Sequence, residues 1–315
     1  MKKFGNVLVT GGAGFLGSQL VIKILNDCER IWVLDDLSTG KRSAVPSSSN
    51  VTFVEGSILD AELLKTILPK INYIFHFACA NLVNSVTDIE KDFNTNLLGG
   101  FTLLSNAKEH SPHLKRFVYA STASIYGEAD AFPTVESYHN IKLPYAASKF
   151  SMEHYVRTFF FLYGLPVTIL RFSNVYGPGQ LSSNPYCGVV AKFFEAVNGN
   201  KSLEVFGDGL QTRDFTFVED ALEAVVLSAN TNKALGKEFN IGTGSETQII
   251  KLAETVKNIT GYQGKINHSP KRVVDVVSRR CLNISKINQE LGWAPRYSIK
   301  EGLIKTYIWL QGSDI

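Results

Sequence analysis

The sequence lacks a closely spaced pair of cysteines. Its four cysteines, Cys28, Cys79, Cys187 and Cys281, lie far apart and form no Cys-x-x-Cys pair. Because zinc sites and redox-active pairs usually place two thiols a few residues apart, this spacing predicts neither a bound metal nor a redox pair. A chain of 315 residues can form a core that needs no such cross-link, and a reducing cytoplasm fits best.

Strong charge and long apolar runs are also missing. The formal net charge of +3 is too small to predict a nucleic-acid-binding surface, so an anionic ligand must be met by local groups. No apolar run approaches the roughly 18 residues that a membrane span requires. The first residues, MKKFGNVLVTGG, pass from a short apolar stretch into glycines, which predicts a first β-strand and not a signal peptide.

Internal repeats and low-complexity linkers are absent, and the chain instead alternates short apolar runs with helix-like stretches. The runs are VLVT, RIWVLD, VTFVE, NYIFHFA, RFVYAS and VTILRF, and the helix-like stretches include Phe15 to Asn26 and Asp88 to Glu109. Near-continuous apolar strands that alternate with helices predict a parallel sheet covered on both faces. The predicted fold class is therefore α/β, with a doubly wound (Rossmann) domain.

The pattern predicts two domains. The Rossmann domain is expected over residues 1–174, because the βα alternation ends near Val175. Residues 175–315 are less regular and predict a smaller α/β domain that determines substrate specificity. Parts of residues 215–243 could return to the first domain.

A glycine-rich turn follows the first predicted strand. In VTGGAGFLGSQL, the glycines Gly11, Gly12, Gly14 and Gly17 lie between a strand and a helix. Glycines at this place allow a tight turn and a close approach of the backbone to a pyrophosphate, whose charge then lies at a helix N-terminus. The turn predicts a dinucleotide site, whereas the alternative is a tight βα turn without a ligand.

The second predicted strand ends in Asp35, eighteen residues after Gly17. This is about the spacing at which a carboxylate accepts a hydrogen bond from the 2′-hydroxyl of a bound ribose. The same carboxylate would repel a 2′-phosphate, so NAD is predicted rather than NADP. Lys41 and Arg42, in the surface loop from Ser38 to Asn50, leave NADP open as the alternative.

A tyrosine and a lysine four residues apart, Tyr145 and Lys149, are expected to share one face of a helix. Tyrosine has an ordinary pKa of about 10, so its use as a base near neutral pH requires nearby positive charge. Lys149 and an oxidised nicotinamide ring would supply that charge, and Thr122 at a strand end could share the hydrogen bond to a reacting hydroxyl. Taken alone, the pair is more often an exposed helical contact.

Taken together and in this order, TGGAGFLG, STASIYG and PYAASK resemble the extended short-chain dehydrogenase/reductase family. Further similar segments are HFACA, NTNLLGG, LRFSNVYGPG, FGDGLQTRDF and NISKINQELGW, so the resemblance covers nearly the whole chain. It implies a Rossmann domain with bound NAD, a nucleotide-sugar site in the C-terminal part, and often a homodimer formed through two helices of each subunit.

The resemblance also implies roles for single residues. Thr122, Tyr145 and Lys149 match the catalytic positions. The positions expected to bind the cofactor are Gly11, Gly14, Phe15, Leu16, Gly17, Asp35, Asp36, Ser38, Gly40, Ser57, Ile58, Phe77, Ala78, Asn96, Tyr145 and Lys149. Besides Thr122, the expected substrate-binding residues are Asn174, Arg213 and Arg280, the arginines on the diphosphate. Arg279 could serve in place of Arg280.

The residues after Thr122 narrow the implied reaction. Related 4,6-dehydratases have Asp-Glu there and related decarboxylases typically keep the glutamate, but this chain has Ala123 and Ser124. We therefore predict an epimerase that inverts C4 of a nucleotide-activated hexose, such as UDP-glucose, UDP-N-acetylglucosamine or UDP-glucuronate. The alternatives are a nucleotide-sugar 4-ketoreductase, a decarboxylase, and a non-catalytic dinucleotide sensor. Ser57 stands where many members have an aspartate, which predicts an adenine contact that is weaker or is made by the hydroxyl and the backbone.

Overall fold

The computed structural model describes residues 3–180 and 188–312. Its main feature is a seven-stranded sheet with the strand order β3-β2-β1-β4-β5-β6-β11. The strands are β1 Phe4–Thr10, β2 Cys28–Asp35, β3 Val51–Glu55, β4 Tyr73–His76, β5 Arg116–Thr122, β6 Val167–Phe172, β7 Asn174–Tyr176, β8 Leu203–Phe206, β9 Thr212–Arg213, β10 Phe215–Phe217, β11 Glu238–Ile241, β12 Thr247–Gln248 and β13 Ile266–Ser269.

The helices follow most of the strands of the large sheet. They are α1 Phe15–Ile24, α2 Ala61–Ile67, α3 Leu82–Thr87, α4 Ile89–Asp92, α5 Gly100–His110, α6 Pro144–Tyr163, α7 Val189–Asn198, α8 Val218–Asn230, α9 Ile249–Thr260, α10 Ser285–Leu291 and α11 Ile299–Leu310. A π-helix, Phe93–Gly99, joins α4 to α5, so the predicted helix from Asp88 to Glu109 consists of three pieces. Short π-helices of this kind are rare and are often found at functional sites.

The large sheet is parallel where its neighbouring strands are paired. β1 pairs with β2 and β4, β2 pairs with β3, and β4 pairs with β5, all in parallel. Every residue of β4, β5 and β6 is buried, which explains their continuous apolar character and requires helices on both faces. The predicted doubly wound α/β fold is confirmed.

One apolar core lies between this sheet and its helices. It includes Leu8 of β1, Ile74 of β4 and Phe117 of β5, with Leu104 of α5 and Val156 of α6, all fully buried. The helix α6 begins with Pro144 and ends at Gly164, which has a left-handed backbone (φ +67°). Proline in the first turn and glycine after the last are typical helix boundaries, and they place Tyr145 in the first turn of α6.

The chain divides into two compact units by its internal contacts. The first comprises Met1–Ile125, Ile141–Arg171 and Leu222–Phe239. The remainder, Tyr126–Asn140, Phe172–Ala221 and Asn240–Ile315, forms the second. The division differs from a single boundary at residue 174 because 126–140 belongs to the second unit. The return of 222–239 to the first unit falls within the stretch 215–243, for which it was predicted.

Contacts within the second unit explain the position of 126–140. Thr134 forms a parallel bridge with Leu282, and the Tyr126 hydroxyl donates to Asn240 Oδ1 at 2.5 Å. The second unit has three two-stranded sheets, β7 with β10, β8 with β13 and β9 with β12. Within the part of the chain that is described, no helix has the length and apolar character needed to cross a bilayer.

Candidate active site

The backbone of the glycine turn packs closely against itself and against the segment that follows β4. Gly11 has a left-handed backbone (φ +68°), and a Cβ there would lie 2.5 Å from the Ala78 nitrogen. A Cβ on Gly17 would lie 2.3 Å from the Gly11 carbonyl oxygen. Side chains are therefore excluded at both positions by direct contact between backbone segments.

The helix α1 that follows the turn begins without a side-chain cap. Its N-cap is Gly14, and no acidic residue lies in its first turn, which starts with Phe15 and Leu16. The first N–H groups of a helix need an acceptor and carry the positive end of its dipole. This uncapped end fits a phosphate group, as a dinucleotide requires.

Both carboxylate oxygens of Asp35 accept a hydrogen bond from a backbone nitrogen. Oδ2 accepts from the Ala13 nitrogen in the glycine turn at 2.9 Å, and Oδ1 accepts from the Leu37 nitrogen at 2.9 Å. Burial is the main cause that raises the pKa of Asp35, and these two hydrogen bonds oppose it. A carboxylate oxygen has a second lone pair, so the predicted ribose contact remains chemically possible.

The residues after Asp35 form a turn at the end of β2, next to the glycine turn. Asp36 Oδ1 accepts from the Ser38 nitrogen at 2.9 Å, and a Cβ on Gly40 would lie 2.9 Å from Asp35 Oδ1. Arg42 is engaged elsewhere, because its guanidinium lies 4.7 Å from the centre of the Phe53 ring and donates to the Val45 oxygen at 3.3 Å. This placement weakens the case for a 2′-phosphate contact by Arg42.

The ends of β3 and β4 carry other predicted cofactor positions. After β3, the Ser57 hydroxyl accepts from the Leu59 nitrogen at 3.1 Å, and Ile58 is buried. After β4, the Phe77 nitrogen donates to the Thr10 oxygen at 3.0 Å, which places Ala78 against the glycine turn. Since these positions follow adjacent or nearby parallel strands, they lie at the carboxyl edge of the sheet.

Asn96 lies on the π-helix with a fully employed side-chain amide. Its Oδ1 accepts from the Ala80 nitrogen at 2.9 Å, while Nδ2 donates to the Ala80 oxygen at 3.0 Å and to Asp92 Oδ1 at 2.6 Å. Asn96 is 1% exposed. The structure therefore assigns it the task of holding the segment after β4, and a direct contact with the cofactor stays a prediction.

Thr122, Tyr145 and Lys149 come from two elements of the first unit. Thr122 ends β5, Tyr145 lies in the first turn of α6, and the Thr122 side chain acts to lower the pKa of Tyr145. The Thr122 hydroxyl also accepts from the Ser124 nitrogen at 3.1 Å. Lys149, one turn further along α6, is buried, and its ammonium nitrogen lies 4.4 Å from the centre of the Tyr119 ring. The pair is therefore no exposed helical contact.

Desolvation shifts both members of the tyrosine and lysine pair toward their neutral forms. It raises the pKa of Tyr145 well above its ordinary value, although the Thr122 side chain acts in the opposite direction. It also lowers the pKa of Lys149. Activation of Tyr145 as a base thus depends on positive charge brought to the site, as the sequence reasoning expected.

A buried ion pair supports α6 and was not predicted from the sequence. Glu153 accepts from Arg171 of β6, with Nε 2.9 Å from Oε1 and Nη2 2.6 Å from Oε2. Ser121, next to Thr122, donates to the same carboxylate at 2.5 Å. The signal in the sequence was an arginine, Arg171, inside the apolar run VTILRF, but nothing in the local pattern pairs it with Glu153 of α6.

The second unit contains the predicted substrate residues. Asn174 begins β7, and its backbone nitrogen donates to the Asp214 oxygen at 3.0 Å. Asp214 is buried and accepts from the Thr243 and Leu282 nitrogens, which fixes the strand that carries Arg213. Arg213 donates to the Thr212 oxygen at 2.7 Å, and burial lowers its pKa.

Arg280 has the features expected of a residue that binds an anion. Its Nε is buried without a hydrogen-bond partner among the described residues, and burial together with Arg213 lowers its pKa to about 9. Arg279 is already paired, because Nη2 lies 2.6 Å from Glu246 Oε2 and the guanidinium lies over the Phe132 ring. Of the two adjacent arginines, Arg280 is thus the one suited to a diphosphate.

A cavity of about 220 Å³ lies beside these groups in the second unit. Its lining includes Gln211, Asp275 and Ser278, and Asp275 acts electrostatically on Arg213. Arg272 forms a two-pronged salt bridge with Asp275, with Nη2 2.8 Å from Oδ1 and Nε 3.0 Å from Oδ2. Neither Arg272 nor Asp275 was singled out from the sequence, where they occur in a stretch without a recognisable motif.

The first unit is doubly wound, has a tight glycine turn before an uncapped helix, and carries a threonine on β5 with a tyrosine and a lysine on α6. These features define a dinucleotide-dependent enzyme of the short-chain dehydrogenase/reductase type. Residues 7–242 match the model of the NAD dependent epimerase/dehydratase family. The chain belongs to this family, so the resemblance seen in its motifs is confirmed, and so is NAD as the cofactor.

Proteins of known name resemble the chain over its whole length. A putative UDP-glucose 4-epimerase from Methanocaldococcus jannaschii is 34% identical, and the match covers 98% of this chain and 99% of the relative. A UDP-glucose 4-epimerase from Mycolicibacterium smegmatis is 35% identical over 95% of this chain and 96% of the relative. The crystal structure of UDP-glucose 4-epimerase from Thermotoga maritima with UDP-glucose has a TM-score of 0.92 at 37% identity, covering 98% and 99% of the two chains.

Proposed function

We propose that this protein inverts C4 of a UDP-linked hexose, with UDP-glucose, UDP-N-acetylglucosamine and UDP-glucuronate as the candidate substrates. The observation that carries the proposal is the placement of Thr122 at the end of β5 and of Tyr145 and the buried Lys149 one turn apart on α6, with no carboxylate at the two positions after Thr122. Ala123 is buried and Ser124 has a hydroxyl, so neither can act as the additional acid or base of a dehydration.

In this reaction Tyr145 removes the proton from the 4-hydroxyl group, and Thr122 shares the hydrogen bond to that oxygen. Lys149 favours the phenolate of Tyr145 by its charge. NAD bound at the glycine turn would accept the hydride of C4 and return it to the opposite face of the same carbon. Tyr145 then returns the proton to the 4-keto oxygen after the sugar has turned over, so the configuration is inverted without net redox change.

The residues proposed to hold NAD are those of the glycine turn and of the strand ends beside it. Gly11, Gly14, Phe15, Leu16 and Gly17 would receive the pyrophosphate at the start of α1, and Asp35 the ribose. The other proposed contacts are Asp36, Ser38, Gly40, Ser57, Ile58, Phe77, Ala78, Asn96, Tyr145 and Lys149. The uncapped start of α1 and the closeness of Gly17 to Gly11 support this assignment.

Arg213 and Arg280 are proposed to hold the diphosphate of the substrate, and Asn174 to contact it. The buried Nε of Arg280 without a partner supports this role, because a buried donor gains most from an anionic acceptor. A sugar held firmly by its diphosphate and loosely by its hexose is free to turn over, as inversion at C4 requires.

The test is to incubate the purified protein and NAD with each candidate UDP-sugar and to follow C4 epimers by NMR. We expect a 4-epimer from at least one of the three, and its absence from all three overturns the proposal. Tyr145→Phe should abolish turnover while NAD remains bound. Stoichiometric consumption of NADH would instead reveal a 4-ketoreductase, release of carbon dioxide from UDP-glucuronate a decarboxylase, and the absence of any Tyr145-dependent turnover a dinucleotide sensor.

We further propose that the protein is a cytoplasmic homodimer. Large apolar side chains are exposed on α4, on the π-helix and on α6, namely Ile89, Phe93, Leu98, Tyr155, Phe161, Leu162 and Tyr163. Apolar surface of this kind favours association with another subunit. Cys28, Cys79 and Cys281 form no disulfide among the described residues, which suits a reducing compartment, whereas Cys187 lies outside those residues. Light scattering measures the subunit number.

A further inference from the structure

Lys149 lies on the side of α6 that packs against the apolar core of the first unit. Met152 and Val156, further along the same side of the helix, are fully buried members of that core, and Lys149 itself is 2% exposed. Burial is the main cause that lowers the pKa of Lys149. Because an ammonium group in this place has lost most of its water, its charge needs another group to stabilise it.

Tyr119 of β5 is the side chain against which this ammonium group lies. Lys149 Nζ is over the Tyr119 ring, 4.4 Å from the ring centre. Across residues 3–180 and 188–312 the ammonium group forms no salt bridge and no hydrogen bond to another side chain. The face of an aromatic ring attracts a cation, and the attraction is stronger when both groups are removed from water.

The Tyr119 hydroxyl group fixes the ring in this position. It donates to the Lys149 backbone oxygen at 3.3 Å, and Tyr119 is 0% exposed. Burial raises the pKa of Tyr119 well above 10, so the hydroxyl group keeps its proton and remains a donor at neutral pH. Tyr119 thus contacts both the backbone and the side chain of Lys149.

The other titratable groups around Lys149 and Tyr119 are of two kinds. They are His76 of β4, Cys79 in the segment after β4, Asp92 of α4, and Tyr145 and Glu153 of α6. Burial lowers the pKa of His76 to about 3 and raises the pKa values of Cys79 and Tyr145, so these three are neutral at pH 7 before ligands bind. None of them provides a charge opposite to that of Lys149.

The two carboxylates are hydrogen-bonded to other side chains. Glu153 binds the buried Arg171, with Nη2 2.6 Å from Oε2, and Asp92 accepts from Asn96 Nδ2 at 2.6 Å. In the described part of the chain neither carboxylate forms an ion pair with Lys149. The group in direct contact with the ammonium is therefore the aromatic ring.

We propose that the face of the Tyr119 ring stabilises the charged form of Lys149, which makes Tyr119 a positioning residue for the proposed reaction. A carboxylate in the same place would largely cancel the field of the ammonium group, whereas an uncharged ring leaves that field to act on Tyr145. The catalytic consequence rests on the 4-epimerase function, but the contact between ring and ammonium is tested without turnover.

Two substitutions separate the ring from the hydroxyl group. Tyr119→Leu removes both, and Tyr119→Phe keeps the ring. The measurement is the titration of Lys149 by NMR in protein with ¹³Cε-labelled lysine, its signal assigned by its loss in Lys149→Met. The midpoint should fall by about one pH unit in Tyr119→Leu and stay within about 0.3 unit in Tyr119→Phe. An unchanged midpoint in folded Tyr119→Leu, or an equal fall in both variants, overturns the proposal.

The matched control is Phe117→Leu on the same strand. Phe117 is also fully buried in this core, and its ring packs 6.1 Å from that of His76. Its loss should lower the melting temperature about as much as the loss of Tyr119, while the Lys149 midpoint stays in place. A purely structural role of Tyr119 would lower the melting temperature in both leucine variants and move the midpoint in neither, which overturns the proposal.

The same order of variants should appear in the pH profile of kcat/KM. The limb at high pH, where Lys149 loses its proton, should move down by about one unit in Tyr119→Leu and stay in Tyr119→Phe. If Tyr119→Leu does not fold, the unaltered protein decides, because the ε-methylene protons of a lysine over an aromatic ring resonate upfield of those of exposed lysines. An ordinary shift for Lys149 overturns the proposal. Absence of epimerisation by the unaltered enzyme contradicts the proposed function alone.

Discussion

Arg171 and Glu153 form a two-pronged ion pair that is almost completely buried. Arg171 lies on β6 and is 1% exposed, while Glu153 lies on α6, one turn beyond Lys149, and is 0% exposed. The pair fastens α6 to the sheet, and Ser121 extends it to the end of β5. The Glu153 carboxylate thus connects the end of β5, which carries Thr122, with α6, which carries Tyr145 and Lys149.

Removing one member of this pair should destabilise the fold strongly. In Glu153→Gln the Arg171 charge stays buried without its partner, and we expect a loss of about 3 to 5 kcal/mol in the free energy of unfolding. Urea denaturation followed by circular dichroism measures this loss. The control is Glu62→Gln, which breaks an exposed ion pair with Lys65 and should leave the denaturation midpoint unchanged. Equal midpoints for the two variants would contradict a structural role of Glu153.

His76 should make stability depend on pH. Its pKa of about 3 in the folded state lies below the value of about 6.5 in the unfolded chain, so the unfolded chain binds the proton more tightly. The stability from the neutral ring is therefore complete above about pH 6.5 and is lost as the pH falls toward 3. The loss amounts to roughly 4 to 5 kcal/mol of unfolding free energy over that interval.

Denaturation midpoints measured between pH 7 and pH 4 check this expectation. His76→Asn should flatten the pH dependence, even though the variant is less stable at pH 7 because the ring packs beside Tyr119 and accepts or donates a 2.8 Å bond with Thr10. His113→Asn, at an exposed position, should keep the slope of the unaltered protein. Parallel slopes for all three proteins would show that His76 does not remain neutral.

The sequence was sufficient for the strands β1 to β6, because each contains a short, largely apolar run between turn or helix signals. In β4, β5 and β6 every residue is buried, so these runs are almost continuously apolar. It was insufficient for β11, whose four residues, Glu238–Ile241, are too few to separate from a loop. It also could not choose between Arg279 and Arg280. That choice depends on Glu246, which is 33 positions away from Arg279 in the chain and pairs with it only in the folded unit.

The hydrogen-bond partners of buried polar side chains around the site were also not predictable from the local sequence pattern. Asn96 was expected to contact the cofactor by its place in NTNLLGG, but its amide is occupied by Ala80 and Asp92. Which partner a buried amide finds depends on the tertiary arrangement of three segments, and no periodicity encodes it. The glycine turn was predictable, since its geometry excludes every other residue at Gly11 and Gly17.

Gly17→Ala should disrupt the turn and the NAD site together. The added methyl group would lie 2.3 Å from the Gly11 oxygen and 2.7 Å from Gly12 Cα, both backbone atoms that cannot rotate away. We expect a cost of more than about 2 kcal/mol in stability and a large loss of NAD affinity. Calorimetry with NAD and thermal melting measure the two effects.

Gly164→Ala is the matched control for that substitution. Gly164 ends α6 with φ +67°, and a methyl group there would meet no atom within 4 Å. The strain of a left-handed alanine should cost about 1 kcal/mol, while NAD affinity stays unchanged. Equal NAD affinities for Gly17→Ala and the unaltered protein would remove the glycine turn from the cofactor site.

Arg280→Met should weaken binding of the nucleotide diphosphate with little effect on NAD. The guanidinium is pre-formed in the second unit with its Nε unpartnered, and its pKa of about 9 indicates a charge that is poorly compensated before an anion binds. Loss of charged hydrogen bonds to a diphosphate should cost about 2 kcal/mol, which raises the Kd for UDP about thirtyfold. Arg279→Met removes a neighbouring charge that already pairs with Glu246, and its Kd for UDP should change less than threefold. Titration calorimetry with UDP ranks the two variants, and the opposite order would move the diphosphate from Arg280 to Arg279.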